Sequence, residues 1–512
     1  MPSLDKSKIK STVDNIKPFS DESSSAPGSP QTQNIKSIEE YVNTVCQQIR
    51  WEKAHARVAD ELANHINDTR DAYLSQDHTE AEATVKAIAD TGDAAIVGTQ
   101  LDRVHRPKPQ WSMLGITAVL AILGLVGYAY LDNGITAARS IFTGIGVVGL
   151  VAAYFADFTW LTKYPKTLLF AVAAFTQILS FALYIRGWGV WGSIHLGAGF
   201  TLSRTTLEAV ILFFPLALAA IIFYTKGKGY RGLTISALAF ILLALIAFGV
   251  SVPGVARFTV IGLAMFGVAI IKDWFGIKKF VAFMLTFGIG TVASMLSFAL
   301  MSEWQRERIN IFFNPSTAPY TRGFWPLITR EIIRDAAWFG QSANENLILM
   351  FPLPPMLHHY NWRIPYYSAL TVLIGYIGWI AFVVITGVII FFIAKGILRC
   401  YRQKSSLGLL VSSTIMITFA VQAFEYIVYN LGFQMATPIS LPLLFSGNAV
   451  LVANMVLVGF MLSVFRIGDV VIDEPADKGK KAGKLLNWGD GRLIINFKPR
   501  SGQRGFTDSA PE

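Results

Sequence analysis

Three ionisable residues lie in or beside long apolar stretches of the chain: Glu208, Arg257 and Glu425. Charged side chains inside a membrane segment are costly, and those that occur commonly mark ion pathways and proton relays. A proton-coupled transporter needs several such groups near the middle of the bilayer. Here Glu208 and Arg257 lie near segment ends, and Glu425 alone lies well inside a segment, close to its predicted outer end. This scarcity argues against a transporter.

A larger group of charged residues lies in the long polar stretch between Met301 and Tyr366. Long loops carried by a helical scaffold often contain functional residues. Some of these side chains also have the helical spacing of salt bridges on a surface helix. The charged residues of this stretch include Arg306, Arg308, Arg322, Arg330, Arg334, Glu303, Glu307, Glu331, Asp335 and Glu345.

The sequence contains no P-loop, nucleophile elbow, HExxH or CxxC motif. ATPase, hydrolase and zinc-site functions are therefore unsupported. His55, Glu61 and His65 lie in a predicted helix, but they lack the two-histidine i, i+4 spacing of a helical zinc site, so they are interpreted as a solvated face. His358 and His359 have no third ligand nearby and are predicted to lie in the membrane interface. No metal site is predicted.

The composition is typical of a membrane protein. Of the 512 residues, 53% are hydrophobic and 15% are charged, whereas about 25% are charged in soluble domains. The net charge is +10, but the basic residues lie between apolar runs, where membrane orientation requires them. Nucleic-acid binding is therefore not predicted. Cys46 and Cys400 are both predicted on the cytoplasmic side, which argues against a disulfide.

The apolar segments and the loops between them predict the topology. Basic loops such as "TKGKGYRG" and "KDWFGIKK" follow segments two, four, six and eight, whereas the loops "LDNGI" and "SVPG" carry almost no Lys or Arg. The positive-inside rule then places both termini in the cytoplasm. Ten segments of about 20 residues start near Met113, Ala138, Thr167, Thr205, Leu233, Val255, Phe280, Tyr367, Leu407 and Phe445.

The predicted fold class is all-α: a polytopic membrane protein with about ten transmembrane helices and a small helical cytoplasmic N-terminal domain. Residues 1–34 are predicted to form a disordered tail. Residues 35–108 form the helical prefix domain, because apolar residues recur there at steps of three and four. Residues 109–467 form the membrane domain, with a large outer loop at 302–366, and residues 468–512 form a cytoplasmic tail.

The segment from Tyr429 to Arg466, "YNLGFQMATPISLPLLFSGNAVLVANMVLVGFMLSVFR", resembles the signature of the SEDS family, the FtsW/RodA/SpoVE cell-shape and division proteins. The loop stretch "RINIFFNPSTAPYTRGFW" resembles the family's Arg-x-x-x-(Phe/Leu)-x-(Asn/Asp)-Pro pattern, and "GYIGW" resembles the start of its eighth helix. Residues 59–111 resemble a permease prefix domain. The matching positions are Arg308, Asn314, Pro315, Gly378, Asn430, Gly432, Pro438, Leu441, Pro442, Gly447, Asn454 and Gly459.

This resemblance implies a peptidoglycan glycosyltransferase that polymerises undecaprenyl-linked lipid II at the outer face of the bacterial cell membrane. It also implies a class B penicillin-binding protein as partner. Arg308, Arg330 and Arg334 would hold the pyrophosphate through charge-assisted hydrogen bonds. An aspartate at the end of the outer loop would take the proton of the attacking sugar hydroxyl. No cofactor is implied for certain; a divalent cation would be needed only by an active enzyme.

The sequence departs from the family pattern at this aspartate. Counting back from Gly378 places Tyr367 at the aspartate position and Tyr366 beside it. A tyrosine has an unperturbed pKa near 10 and is a poor general base at neutral pH. No Asp or Glu occurs between Glu345 and Trp379. The chain is therefore predicted to be a divergent, catalytically impaired SEDS protein that handles lipid II.

Two alternatives remain open at this point. An active polymerase would use another loop carboxylate, with Glu345, Asp335 or Glu331 as the candidates. A lipid-precursor flippase or a small-solute permease is the other alternative, against which the scarcity of intramembrane charge argues.

Overall fold

The computed structural model describes residues 37–107, 109–131, 135–185, 193–197, 200–288, 303–342, 366–468, 486–489 and 492–495. The chain divides into two compact units at Arg106 and Pro107. The predicted disordered tail, 1–34, lies outside the described residues.

The described part of the first unit consists of four helices that surround a small apolar core. Tyr41, Val45 and Ile66 are fully buried in this core, and the Tyr41 hydroxyl donates to the Gly92 carbonyl oxygen at 2.9 Å. Burial and the nearby Asp93 carboxylate raise the pKa of Tyr41 to about 12. The helices are α1 Ile38–Gln47, α2 Glu52–Leu74, α3 Glu80–Thr91 and α4 Ala94–His105.

Among the described residues, the second unit contains nine helices that are long and apolar enough to cross a membrane. This confirms the predicted all-α, polytopic membrane fold. They are α5 Trp111–Leu131, α6 Ala137–Phe155, α8 Pro165–Ile185, the pair α9 Arg204–Ile211 and α10 Phe214–Tyr224, α11 Gly229–Val250, α12 Val252–Ile271, α17 Trp379–Tyr401, α18 Ser406–Asn430 and α19 Asn448–Ile467; the four-residue helix α7 Trp160–Lys163 precedes α8.

Two predicted segments differ from the others. The seventh begins as α13, Lys279–Phe283, and continues as a π-helical turn, Met284–Gly288, beyond which it leaves the described residues. The eighth was expected to start near Tyr367, but its spanning helix α17 starts twelve residues later in the chain, at Trp379. Residues 366–377 form a separate buried piece, a 3₁₀ turn followed by α16 Ala369–Ile377. A hydropathy pattern cannot show this break, because both pieces are apolar.

The described part of the outer loop is helical. It contains α14 Glu303–Phe313, a 3₁₀ turn Pro315–Thr317 and α15 Phe324–Asp335. Ile328 and Ile332 of α15 pack against Val372 of α16. The loop is therefore anchored on the short buried helix that precedes α17.

Three antiparallel strand pairs complete the described structure: β1 Ser193–Gly197 with β2 Phe200–Ser203, β3 Ser440–Leu441 with β4 Phe445–Ser446, and β5 Leu486–Gly489 with β6 Arg492–Ile495. The β3–β4 hairpin is buried between helices, and the buried Arg139 guanidinium donates to the Ser446 carbonyl oxygen at 2.8 Å. The β5–β6 pair lies within the predicted polar tail.

The basic loops predicted to be cytoplasmic lie together at one end of the helices. The Gly227 N–H donates to the Trp274 carbonyl oxygen at 2.7 Å, and the Lys226 ammonium donates to the Ser406 hydroxyl at 2.8 Å. These two bonds join the loops that follow spanning segments four, six and eight. The arrangement agrees with the alternation on which the predicted topology rests.

Candidate functional site

A cluster of charged side chains, here named the Arg257 cluster, lies at the opposite end of the same helices. Arg204 and Glu208 belong to the first turns of α9, Arg257 to the start of α12, and Glu425 to the last turns of α18. Ser251 caps α12 with its hydroxyl, which accepts from the Gly254 N–H at 3.1 Å. The turn between α11 and α12 therefore holds a polar group beside the charged residues.

Arg257 joins the two carboxylates. One terminal nitrogen donates to Glu208 Oε2 at 3.2 Å and the other donates to Glu425 Oε2, also at 3.2 Å. The Arg257 side chain is 5% exposed, that of Glu208 12% and that of Glu425 30%. Charges removed from water in this way need close partners of opposite sign. The arginine therefore ties three helices together.

Glu208 has further partners on its other oxygen. Ser251 donates to Glu208 Oε1 at 2.6 Å, and Arg204 Nε lies 3.3 Å from the same oxygen. Arg204 Nη2 also donates to the Ser251 hydroxyl at 3.1 Å. Two guanidinium groups and two carboxylates thus share the cluster, and their formal charges cancel.

A narrow crevice reaches this cluster between α9, α10 and α12. Glu208 and Arg257 contribute its polar lining, and apolar side chains such as Leu212 and Phe258 line the rest. Its volume is ≈ 10 Å³, about what one water molecule requires. A sugar or diphosphate group could enter only after the side chains or helices move.

Tyr367, which occupies the position where the family pattern has an aspartate, and its neighbour Tyr366 lie beside the Arg257 cluster. Tyr366 is close enough to interact electrostatically with Glu208 and Arg257. Its carbonyl oxygen accepts a hydrogen bond from the Tyr426 hydroxyl at 2.5 Å, and the Tyr367 carbonyl oxygen accepts from the Asn430 amide at 2.9 Å. The 3₁₀ turn is therefore fixed to α18 through its backbone.

Asn430 is the central residue of this attachment. Its buried side-chain amide donates to the carbonyl oxygens of Tyr367 and Tyr426, and its Oδ1 accepts from the Thr371 N–H, each at 2.9 Å. The resemblance marked Asn430 as a motif position. Its contacts show that the residue connects the end of α18 to the start of α16.

We expect Asn430→Asp to destabilise the protein by about 2–4 kcal/mol, because the carbonyl oxygens of Tyr367 and Tyr426 lose a side-chain donor and face a carboxylate; loss of a partner from a buried polar group costs roughly 1–3 kcal/mol. Thermal unfolding in detergent measures the effect. Thr371→Ser keeps the hydroxyl that donates to the Asn430 carbonyl oxygen and serves as the control. Equal melting temperatures for Asn430→Asp and wild type would contradict this role.

The arginines predicted to bind substrate take different positions. Arg330 donates through all three nitrogens to backbone carbonyl oxygens, those of Gly432, Phe313 and Phe312, at 3.0–3.2 Å. It also lies over the Phe433 ring. These contacts connect the outer loop to the chain after α18, which favours a structural role. Substrate binding by Arg330 remains a prediction.

The other predicted loop residues are more exposed. Arg308 and Glu331 lie on exposed faces of α14 and α15. Arg334 is 76% exposed and its Nε donates to Asp335 Oδ1 at 3.1 Å. Glu345 lies outside the described residues. The predicted roles of these side chains remain predictions.

Several motif residues lie in turns or at the ends of short elements. Asn314 and Pro315 open the 3₁₀ turn after α14, and Gly432 has a positive φ of +87° and contacts the Arg330 side chain. Gly447 lies where an added Cβ would be 3.6 Å from the Tyr366 ring. Pro438 and Pro442 are buried on either side of β3.

Glu208, Arg257 and Glu425 were visible in the sequence but were not selected as site residues. The signal that could have identified them is their common position. Under the predicted topology all three lie at the outer ends of their segments, and their charges are complementary. The sequence alone does not show that these residues are in contact, because Arg257 and Glu425 are 168 positions apart.

Among the residues that the structure describes, no three His, Cys, Asp or Glu side chains are placed to hold a metal ion. Glu208 and Glu425 are both bound to Arg257, so their carboxylates do not form an oxygen-ligand set for a divalent cation.

Comparison with known proteins identifies relatives of this fold. The chain is 26% identical over 255 residues to the probable peptidoglycan glycosyltransferase FtsW of Thioalkalivibrio sulfidiphilus, a match that covers 49% of this chain and 58% of that protein. The match thus spans little more than half of the relative's length. No protein-family model matches.

Two solved structures are also similar. One comes from work on the structural coordination of polymerization and crosslinking by a peptidoglycan synthase complex, with a TM-score of 0.53, 16% identity, and coverage of 70% of this chain and 98% of that chain. The other is the rod shape determining protein RodA of Thermus thermophilus, with a TM-score of 0.47, 13% identity, and coverage of 70% and 97%.

The spanning helices define a multi-pass membrane protein, and its fold is similar to that of the first of these structures. The match to FtsW agrees with the resemblance of the motif residues to the SEDS family.

Proposed function

We propose that this chain is a divergent SEDS protein that takes part in bacterial cell-wall synthesis, in cell shape or division, by handling lipid II at the outer face of the cell membrane. The observation that supports this proposal is the Arg257 cluster, which lies at the end of the helices opposite the basic loops. The similar protein from Thioalkalivibrio sulfidiphilus is named a probable peptidoglycan glycosyltransferase. Both termini of this chain would then be cytoplasmic.

The geometry suits a substrate with one apolar and one charged part. An undecaprenyl tail would remain among the lipids beside the helices, while the pyrophosphate and sugars would reach the outer ends of α9, α12 and α18. Guanidinium groups bind phosphate oxygens in pairs through parallel N–H donors. Arg257 and Arg204 would supply these donors once the crevice opens.

We further propose that polymerisation is impaired. The expected aspartate position is Tyr367, whose backbone is bound to Asn430. Glu208, the nearby buried carboxylate, already accepts from Ser251 and Arg257. A general base must reach the proton that it removes, and this carboxylate is directed at other donors. The protein would then bind lipid II, or organise its use by a partner, without linking the sugars.

A class B penicillin-binding protein is the partner that we propose. The support is the similar fold of a chain that belongs to a peptidoglycan synthase complex.

Reconstitution with fluorescent lipid II tests both parts of this proposal. We expect native mass spectrometry to detect lipid II bound to the full-length protein, and we expect no glycan strands on gels, with or without the class B penicillin-binding protein of the same organism. An active SEDS polymerase serves as the positive control. Glycan strands that disappear on Glu208→Gln or Asp335→Asn would contradict impairment, and absence of lipid II binding would contradict the proposed function.

A further inference from the structure

We propose that Glu425 is a displaceable counter-ion on Arg257, occupying the place where a lipid-linked diphosphate would bind and thereby lowering the affinity of the site. This inference rests on the proposed function, since it concerns the same cluster of charges. It identifies which contact must break before an anionic head group can bind.

Arg257 has both of its terminal nitrogens engaged. One donates to Glu208 and one to Glu425, each at 3.2 Å. A guanidinium presents the same fork of donors to a carboxylate and to a phosphate. A diphosphate that binds Arg257 must therefore replace one of the two carboxylates.

The two carboxylates are held unequally. Glu208 is 12% exposed and also accepts from the Ser251 hydroxyl at 2.6 Å, and it lies one helical turn from Arg204. Glu425 is 30% exposed, and Arg257 is its hydrogen-bond partner among the described residues. A partly exposed carboxylate can be solvated when it is released, whereas release of a buried one is much more costly. Glu425 is therefore the group that a diphosphate would displace.

The charge balance leads to the same conclusion. With two arginines and two glutamates, the cluster is formally neutral, so it does not attract an anion strongly. Removal of the Glu425 charge leaves the cluster with one net positive charge, while Arg257 keeps its contact with Glu208. The crevice reaches Arg257 itself, and release of Glu425 would free the Arg257 nitrogen that now donates to it.

The test measures binding of undecaprenyl pyrophosphate to the full-length protein in nanodiscs. We expect Glu425→Gln to lower the Kd about tenfold, which corresponds to ~1.4 kcal/mol. Glu425→Ala should give a similar gain, because both variants leave Arg257 paired with Glu208. Uncharged undecaprenol should bind equally to all of these proteins, since it carries no diphosphate.

A matched control removes the same charge elsewhere. Glu307 pairs with Arg322 at 3.1 Å on the outer loop, and both side chains are exposed. Glu307→Gln should leave the Kd for undecaprenyl pyrophosphate unchanged. Adding Arg257→Gln to the Glu425→Gln protein should remove the gain, since the coupling between the two residues is direct.

The outcomes separate this inference from the proposed function. Wild-type binding that is as tight as binding by Glu425→Gln would overturn the inference alone. Failure of both proteins to bind undecaprenyl pyrophosphate or lipid II would overturn the proposed function as well. If the Glu425→Gln protein still bound undecaprenyl pyrophosphate more tightly after Arg257→Gln was added, the inference would also be overturned, because Glu425 would then act through another group.

Discussion

We expect Gly378→Ala to lower the stability of the protein by about 2–5 kcal/mol. Gly378 has φ +99° and ψ −179°, a region that is essentially restricted to glycine and costs other residues roughly 1–3 kcal/mol. An added Cβ would lie 2.7 Å from the Trp338 carbonyl oxygen and 2.8 Å from that of Ala337. Overlap with backbone atoms adds about 1–3 kcal/mol, because neither carbonyl is on a flexible side chain.

The effect should extend to the outer loop. The Trp379 N–H donates to the Ala337 carbonyl oxygen at 3.0 Å, and the Gly340 N–H donates to that of Ile377 at 2.9 Å. Both bonds join the loop after α15 to the break between α16 and α17. A backbone shift at Gly378 would loosen this connection, so proteolysis of the loop should accelerate together with the fall in melting temperature.

Gly387→Ala is the matched control for this experiment. Gly387 lies in α17, and an added Cβ there has no neighbour within 4 Å. Alanine is favoured over glycine inside a helix by roughly 0.5–1 kcal/mol, so this variant should melt at or slightly above the wild-type temperature. Equal melting of Gly378→Ala and Gly387→Ala would show that the break in the chain does not require glycine.

The membrane fold could be predicted because its signals are local and repeated. Long apolar segments and the alternation of basic loops predict an all-α membrane protein, and nine described spans agree with this. The break at Gly378 could not be predicted in the same way. Residues 366–377 are as apolar as a spanning segment, and hydropathy does not report the positive φ that separates them from α17.

The Arg257 cluster could not be predicted from the sequence as well as the membrane fold could. The charged residues of the outer loop are close together in the chain, and this closeness favours the prediction of a site there. In the structure, however, Arg330 of this loop donates to three backbone carbonyl oxygens. Glu208, Arg257 and Glu425 lie on three separate helices, and only their packing brings them together. The predicted topology placed each of them at the outer end of its segment, but it could not supply the contacts.

We expect Arg257→Gln to be among the most destabilising single substitutions in the membrane domain. Removing one partner of a buried ion pair costs about 3–5 kcal/mol, because the remaining charge is left unpaired in a poorly solvated place. Here Glu425 loses its described hydrogen-bond partner, and among the described residues Glu208 keeps Arg204 and Ser251. The exposure of Glu425 favours the lower end of this range. Thermal unfolding in detergent measures the loss, and diphosphate binding should disappear with it.

A second substitution shows whether the loss of stability in Arg257→Gln comes from the unpaired charge or from the lost packing. Adding Glu425→Gln to Arg257→Gln removes the unpaired carboxylate and should recover most of the lost stability, although it deletes a second charged group. Arg322→Gln, which breaks the exposed pair with Glu307, should cost about 0–1 kcal/mol and shows what a solvated pair contributes. If the double variant were no more stable than Arg257→Gln, the arginine would stabilise the protein through its packing among α9, α12 and α18. The charge balance that makes Glu425 displaceable would then not determine the stability of this end of the helices.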